Sequence, residues 1–212
     1  MYLPEHFAEL RPEQLHGLIA ANPLGALVTA GAGGLDANHL PFELDPSVGP
    51  HGRLTAHVAR ANPLWQEVAE GDDVLVIFRA AEGYVSPNWY PSKHESHRQV
   101  PTWNYQVVHA HGRIRVMDDE RFVRAVVGRL TRTHEGHLAP ARPWKMSDAD
   151  TDYLGQMLKA IVGIEVDITR LQGKWKLSQN REERDRLGVI DALRARGDQR
   201  LADAVLDASR PK

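Results

Sequence analysis

Between Gly25 and Met117 the apolar residues fall into short runs divided by turn residues, with little helical repeat between them. The runs are Gly25–Ala30, Asn38–Leu44, Arg53–Val58, Asp73–Phe78, Gly83–Tyr90 and Asn104–Met117, and Ile164–Leu171 adds a last one. Such runs read as strands when Gly, Pro, Asn and Asp punctuate them. Parallel neighbours need a crossover of a dozen or more residues, usually a helix, whereas antiparallel neighbours need only a turn. The spacing therefore predicts a mainly antiparallel β fold, a barrel with flanking helices, and it argues against a doubly wound parallel sheet. The first two runs, joined by the turn at Gly31–Gly34, predict a hairpin. Asp73–Phe78 is apolar almost throughout, as a central strand would be.

Helical sequence sits at the ends and late in the chain. Arg11–Ala21 carries Pro12 in its first turn and stops at Asn22-Pro23. Leu64–Glu70 predicts a short helix. Glu120–Thr133 has an apolar stripe of Phe122, Val123, Val126, Val127 and Leu130. Ser147, with Asp150 three residues on, predicts the cap of a further helix whose buried face is Leu154, Met157, Leu158, Ile161 and Val162. The 212 residues fit one domain with a small appendage, which the sequence divides as 1–180 and a charged helical segment, 181–212.

Composition narrows the function classes. With no cysteine, disulfides, thiolate catalysis and cysteine-ligated zinc are excluded. No apolar run approaches the ~20 residues of a membrane helix, and the start Met1–His6 lacks the features of a signal peptide. The expectation is a cytoplasmic protein that does not enter a membrane. A net charge of −2 and a pI near 6.6 give the whole chain no nucleic-acid footprint. The best local candidate for DNA is Arg181–Arg200, where six arginines are interleaved with five acidic residues, a pattern that also describes a solvated helix face. Lys174 and Lys176 alternate with Trp175 and Leu177 and form a small basic edge.

Three segments carry side chains suited to a cofactor. Thr55–Pro63 places His57 and Arg60 at a strand end among small alanines, where a cationic pair can hold a phosphate. A strand end with a solvated arginine and a proline turn has the same residues. Gly83–Lys93 mixes Tyr84, Trp89 and Tyr90 with two prolines and with Ser86 and Asn88, as a preorganised wall for a planar ring would; a turn with packed aromatics reads alike. Val100–Tyr105 puts Trp103 and Tyr105 on one face of a strand, flanking Asn104, either as core or as the lining of a cleft. Eleven histidines include the pairs His94/His97, His109/His111 and His134/His137. Two of these are H-E-x-H, one residue short of the helical H-E-x-x-H zinc pattern, so no metal site is expected from them. His109 and His111 share one face of a strand, and the number of histidines keeps a histidine-lined metal or haem site as an alternative.

These segments together resemble the PaiB family, the FMN-binding negative transcriptional regulators. The resemblance rests on Met1–Phe7, His39-Leu40-Pro41-Phe42, His57–Pro63, Tyr84–Tyr90, Val100–Tyr105 and Lys176-Leu177-Ser178-Gln179-Asn180, found in that order. It implies a Greek-key-like, FMN-binding split β-barrel related to the pyridoxamine-phosphate oxidases, working as a homodimer with FMN in a cleft between subunits. It further implies that Thr29, His39, Leu40 and Pro41 face the flavin ring. His57 and Arg60 would then lie toward the phosphate, and Ser86, Trp89, Trp103, Asn104 and Tyr105 would close the cleft. The regulatory function comes from the resemblance alone, with DNA as its weakest implied partner. An FMN-dependent oxidoreductase, or a haem-binding or haem-degrading protein of the same fold, is the alternative, and no catalytic residue is singled out.

Overall fold

The computed structural model describes residues 1–138 and 141–209, and of His94 only the backbone. Eight strands form one mainly antiparallel sheet flanked by helices, the fold class expected from the sequence. They are β1 (Ala8–Glu9), β2 (Leu24–Gly31), β3 (Gly34–Pro41), β4 (Glu43–Asp45), β5 (Arg53–Ala59), β6 (Asp73–Val85), β7 (Thr102–Met117) and β8 (Ile161–Lys176). The order across the sheet is β3-β2-β6-β7-β8-β5-β4, with β1 paired to β8. The helices are α1 (Pro12–Ala21), α2 (Leu64–Glu67), α3 (Lys93–Ser96), α4 (Glu120–Leu138), α5 (Thr151–Lys159), α6 (Glu183–Ala195) and α7 (Gln199–Asp207).

Residue contacts divide the chain into two compact units. One comprises Met1–Leu18, Arg79–His109 and the chain from Gln172; the other comprises Ile19–Phe78 and Ala110–Leu171. Strands β6, β7 and β8 run from one into the other.

In the second unit the expected hairpin forms with Gly31 opposite Gly34 and His39 opposite Ala26. Strand β6 alternates there, burying Val74, Val76 and Phe78. Strand β5 pairs with β8 from Arg53↔Asp167 to Ala59↔Ile161. Arg53 bonds Asp167 at 2.6 Å and Glu165 at 3.3 Å, and Arg115 of β7 reaches the same two carboxylates at 2.9 and 3.1 Å. Gly163 has no side chain because the Phe122 ring occupies that place: a Cβ would lie 2.4 Å from it.

The first unit has its own core of Val85, Tyr90, Leu177, Val189, Leu193 and Leu201. Helix α6 crosses the 3₁₀ turn Pro87–Trp89 so closely that a Cβ on Gly188 would meet the Trp89 carbonyl oxygen at 2.2 Å. Buried Asp185 on α6 accepts hydrogen bonds from the Ser92 backbone N–H (3.0 Å) and from its Oγ (2.6 Å). This pair fixes the segment between β6 and β7.

Four expectations need correction. Asn38–Leu44 is not one strand: the Phe42 N–H turns away to donate to the Pro23 carbonyl at 2.8 Å, so β3 ends at Pro41 and β4 begins at Glu43. Gly83–Tyr90 is not a separate strand. Arg79–Glu82 contains no turn residue, so β6 continues to Val85, and Ser86-Pro87 then starts the 3₁₀ turn, with the Asn88 N–H donating to Ser86 Oγ at 3.2 Å. The cap of α5 is Asp150 and not Ser147; its carboxylate accepts from the Tyr153 N–H at 2.9 Å, as the positive end of a helix favours. Ile161 and Val162 lie in β8, where branched residues pair well with β5, and not on the helix.

Replacing Asp185 by Ala would leave the buried Ser92 N–H and hydroxyl without their acceptor. The expected loss is about 3 kcal/mol of unfolding free energy, read from the midpoint of a urea titration.

Candidate functional site

The candidate residues fall into two groups, one in each unit, and each is built differently. In the second unit, Thr29 is buried on β2 opposite Asp36. His39 is exposed on β3, Leu40 is buried opposite Gly25, and Pro41 lies opposite Leu24. His57 is half-buried on β5, opposite Gly163. With Pro41, Leu130, His134 and Trp144 it lines a cavity of about 310 Å³. Its Nδ1 is buried with no hydrogen-bond partner among the described residues. Burial holds the imidazole below its ordinary pKa, so it is neutral at pH 7.

Arg60 was the cation expected near a phosphate. Its guanidinium is engaged within this unit: two nitrogens bond the Asp118 carboxylate at 2.5 and 2.9 Å, and Nε donates to the Lys159 carbonyl at 2.8 Å. It also stands 5.5 Å from the centre of the Trp65 ring. The Asp118 carboxylate beside it keeps the Arg60 pKa raised, and Arg60 in turn holds Asp118 low.

The first unit gathers the aromatic candidates. Trp103 is half exposed and meets Tyr84 edge to face at 6.4 Å between centroids. Asn104 is fully buried and donates to Ser178 Oγ at 3.0 Å. Ser86 caps its turn as described, and Trp89 packs against the core with Arg196 over its ring at 5.4 Å. Tyr105 lies under a cation: Lys174 Nζ is 5.6 Å from its centroid and 5.4 Å from that of Tyr2, and donates to the Tyr2 carbonyl at 3.0 Å.

Lys174 belongs to a cluster that the sequence reading passed over as a basic edge. Lys176 Nζ donates to Thr102 Oγ1 and to the Trp103 carbonyl. Burial, then the nearby charges of Lys174 and Arg181, hold the Lys176 pKa below its ordinary value. Arg181 bonds the Gln99 side chain at 2.7 Å and lies over the Tyr90 ring at 5.0 Å. None of these three cations forms an ion pair among the described residues. Three close positive charges without a carboxylate, beside exposed aromatic rings, make a natural anion seat. The signal was present as Lys-x-Lys alternating with Trp-x-Leu, but a sequence does not show which cations lack an acid.

The remaining histidines do not converge. His134 and His137 stand 6.2 Å apart on exposed turns of α4. His109 and His111 each have partners of their own, and the His94 side chain lies outside the described residues. Among those residues no group of three His, Asp or Glu could hold a metal. The arginine-rich segment is engaged internally: Arg184 bonds Glu95 at 2.6 and 2.8 Å, and Arg194 reaches Asp203 at 3.5 Å. No helix of the described residues is long and apolar enough to cross a membrane.

A family model described as "Putative FMN-binding domain" matches residues 1–170. Protease synthase and sporulation protein PAI 2 of Bacillus subtilis is 33% identical over 193 residues, 91% of this chain and 89% of that protein. Among solved structures, the flavocytochrome Anf3 of Azotobacter vinelandii superposes with a TM-score of 0.57 at 14% identity, covering 82% of this chain and 72% of that one. The FAD and heme binding protein of Mycobacterium smegmatis gives 0.55 at 20%, covering 80% and 73%. At such identities the structural likeness shows the fold, and that fold is the split barrel that the family resemblance implies.

His57 generates a pH prediction. Its pKa is lower in the fold than in the unfolded chain, so below about pH 6.5 the unfolded chain binds the extra proton. Stability is therefore expected to fall as pH drops through that value and to be free of this effect above it. His57→Gln should flatten this part of the stability–pH curve, measured by thermal unfolding from neutral to mildly acidic buffer.

Proposed function

The chain belongs to the FMN-binding domain family whose model covers residues 1–170, with FMN as its cofactor, and on that premise we propose that it works as an FMN-binding homodimeric regulator or redox sensor. The observation that carries the proposal is the basic cluster of the first unit. A phosphate monoester brings close to two negative charges, and Lys174, Lys176 and Arg181 offer three positive ones without competing carboxylates. The cluster lies just beyond the residues matched by the family model, next to Thr102, Trp103 and Tyr105, which lie within them. The Trp103 and Tyr84 rings add exposed planar surface suited to an isoalloxazine.

In this reading Lys176 and Lys174 hold the phosphate, Thr102 and the Trp103 carbonyl orient Lys176, and Asn104–Ser178 keeps the start of β7 in register beneath them. Arg60 is a positioning residue, since its charge is matched by Asp118. Bound FMN would supply one- or two-electron transfer, with the protein setting its orientation and electrostatics. The regulatory part draws on the likeness to PAI 2, which is named for protease synthesis and sporulation. Direct DNA contact is the less favoured route, because the arginines of 181–200 are largely engaged with neighbouring side chains. Dimerisation is supported by two large apolar side chains on the outer hairpin, Leu35 (82% exposed) and Leu24 (64%).

The test is titration with FMN, followed by flavin absorbance and fluorescence. Lys176→Ala is expected to weaken binding roughly 10–150-fold, the equivalent of about 1.5–3 kcal/mol for a charge-assisted contact. Arg60→Ala is expected to weaken it less, and the reverse ranking would move the phosphate to the end of β5. Steady NAD(P)H turnover that requires FMN would make the protein an oxidoreductase instead. Light scattering should give twice the 23.7 kDa chain mass; the mass of one chain would end the dimer proposal.

A further inference from the structure

A second cavity, of about 590 Å³, opens in the first unit on the other face of β7 and β8. Alternation separates it from the basic cluster: Tyr105, Lys174 and Lys176 point to one side, Gln106 and Trp175 to the other. Trp175 shares its side with the core residue Leu177. The cavity is within the size range of small-molecule sites.

Its polar groups divide sharply. The charged ones are already matched. Buried Glu9 is held by Arg11 through bonds of 2.6 and 2.8 Å, Asp203 accepts from Gln199 at 2.7 Å, and Arg200 and Asp207 have partners of their own. Gln179 is also committed, accepting from the Leu177 N–H at 2.8 Å and donating to the Trp175 carbonyl at 2.6 Å. The carboxamides of Gln14 on α1 and Gln106 on β7, and the indole N–H of Trp175, form no hydrogen bond among the described residues. They come from three different elements and line one cavity.

We propose that this cavity is a second ligand site, separate from the FMN site, for a neutral planar heteroaromatic of the nucleobase type. A carboxamide presents a donor and an acceptor side by side, which an amide- or amidine-edged ring complements in two hydrogen bonds. The half-buried indole supplies a stacking surface and one further donor. A charged ligand would have to break the pairs that already satisfy the charges, so a neutral one is selected. For a regulator, this gives an input independent of the flavin.

The test is calorimetric titration with adenosine and with uridine, on the full chain with and without FMN. Saturable binding of at least one probe is expected in both states, in the range of ~0.01–1 mM. Gln14→Ala, an exposed helix position that endangers no packing, and Gln106→Ala should each weaken it ~10-fold, as loss of one hydrogen-bonding group would. The flavin spectrum should be unchanged in both variants. Absence of binding by both probes up to ~10 mM, equal affinity in the wild type and both variants, or displacement of FMN by the probe would each overturn the proposal.

Discussion

The period-two alternation of β7 and β8 decides what each side of the sheet in the first unit can be. On one side it lines up Trp103, Tyr105, Lys174 and Lys176. On the other it gives Trp175 and Leu177 to the hydrophobic core, buries Asn104 and leaves Gln106 half-buried. A slip of one residue in either strand would exchange these sets, drive lysines into an apolar core and open the core residues to water. Register is therefore also what makes the chemistry. The buried Asn104–Ser178 bond is one of the local devices that hold it.

Charge works by subtraction. The chain has many arginines, yet most of those described are paired: Arg53 and Arg115 with Glu165 and Asp167, Arg60 with Asp118, Arg129 with Glu43, Arg184 with Glu95. Exposed pairs of this sort contribute little stability each, but they remove the cation from the market for ligands. Among the described cations without an ion pair, Lys174, Lys176 and Arg181 stand near one another, and the cluster they form suits an anion. Its central lysine is partly desolvated, and a bound phosphate would relieve the mutual repulsion of the three cations.

The sequence made the strand runs legible, because their period, turns and prolines are local properties. It misplaced boundaries at Phe42, whose N–H is satisfied by Pro23 outside the ladder, and at Ile161, where a helix gives way to a strand with a single residue between them; it also split β6 at Gly83 and put the α5 cap at Ser147 instead of Asp150. The segments that carry the family likeness were also legible as a set. Which cation in them is free was not, because Asp118 lies 58 residues from Arg60 and nothing local announces the pair. Likewise Lys174 and Lys176 gave an ambiguous basic edge until Tyr2, Tyr105 and Thr102 were seen around them. The unpaired carboxamides of Gln14 and Gln106 had no signature at all, since an exposed glutamine is the commonest kind.

The Ser92–Asp185 bonds join positions 93 residues apart. On the ribosome the two arrive in order. At ~5–20 residues per second, Ser92 waits roughly 5–20 s before Asp185 has even been synthesised. Throughout that interval the stretch from Ser86 to Gln99 lacks its anchorage to Asp185, and for most of it Asn104 has no Ser178 to bond. The hairpin of β2 and β3, whose partners are near neighbours, can close at once. The nascent chain is thus ordered early around its hairpin and late around its cation cluster, and the strand that bears Trp103 and Tyr105 depends for that time on whatever protects it in the cell.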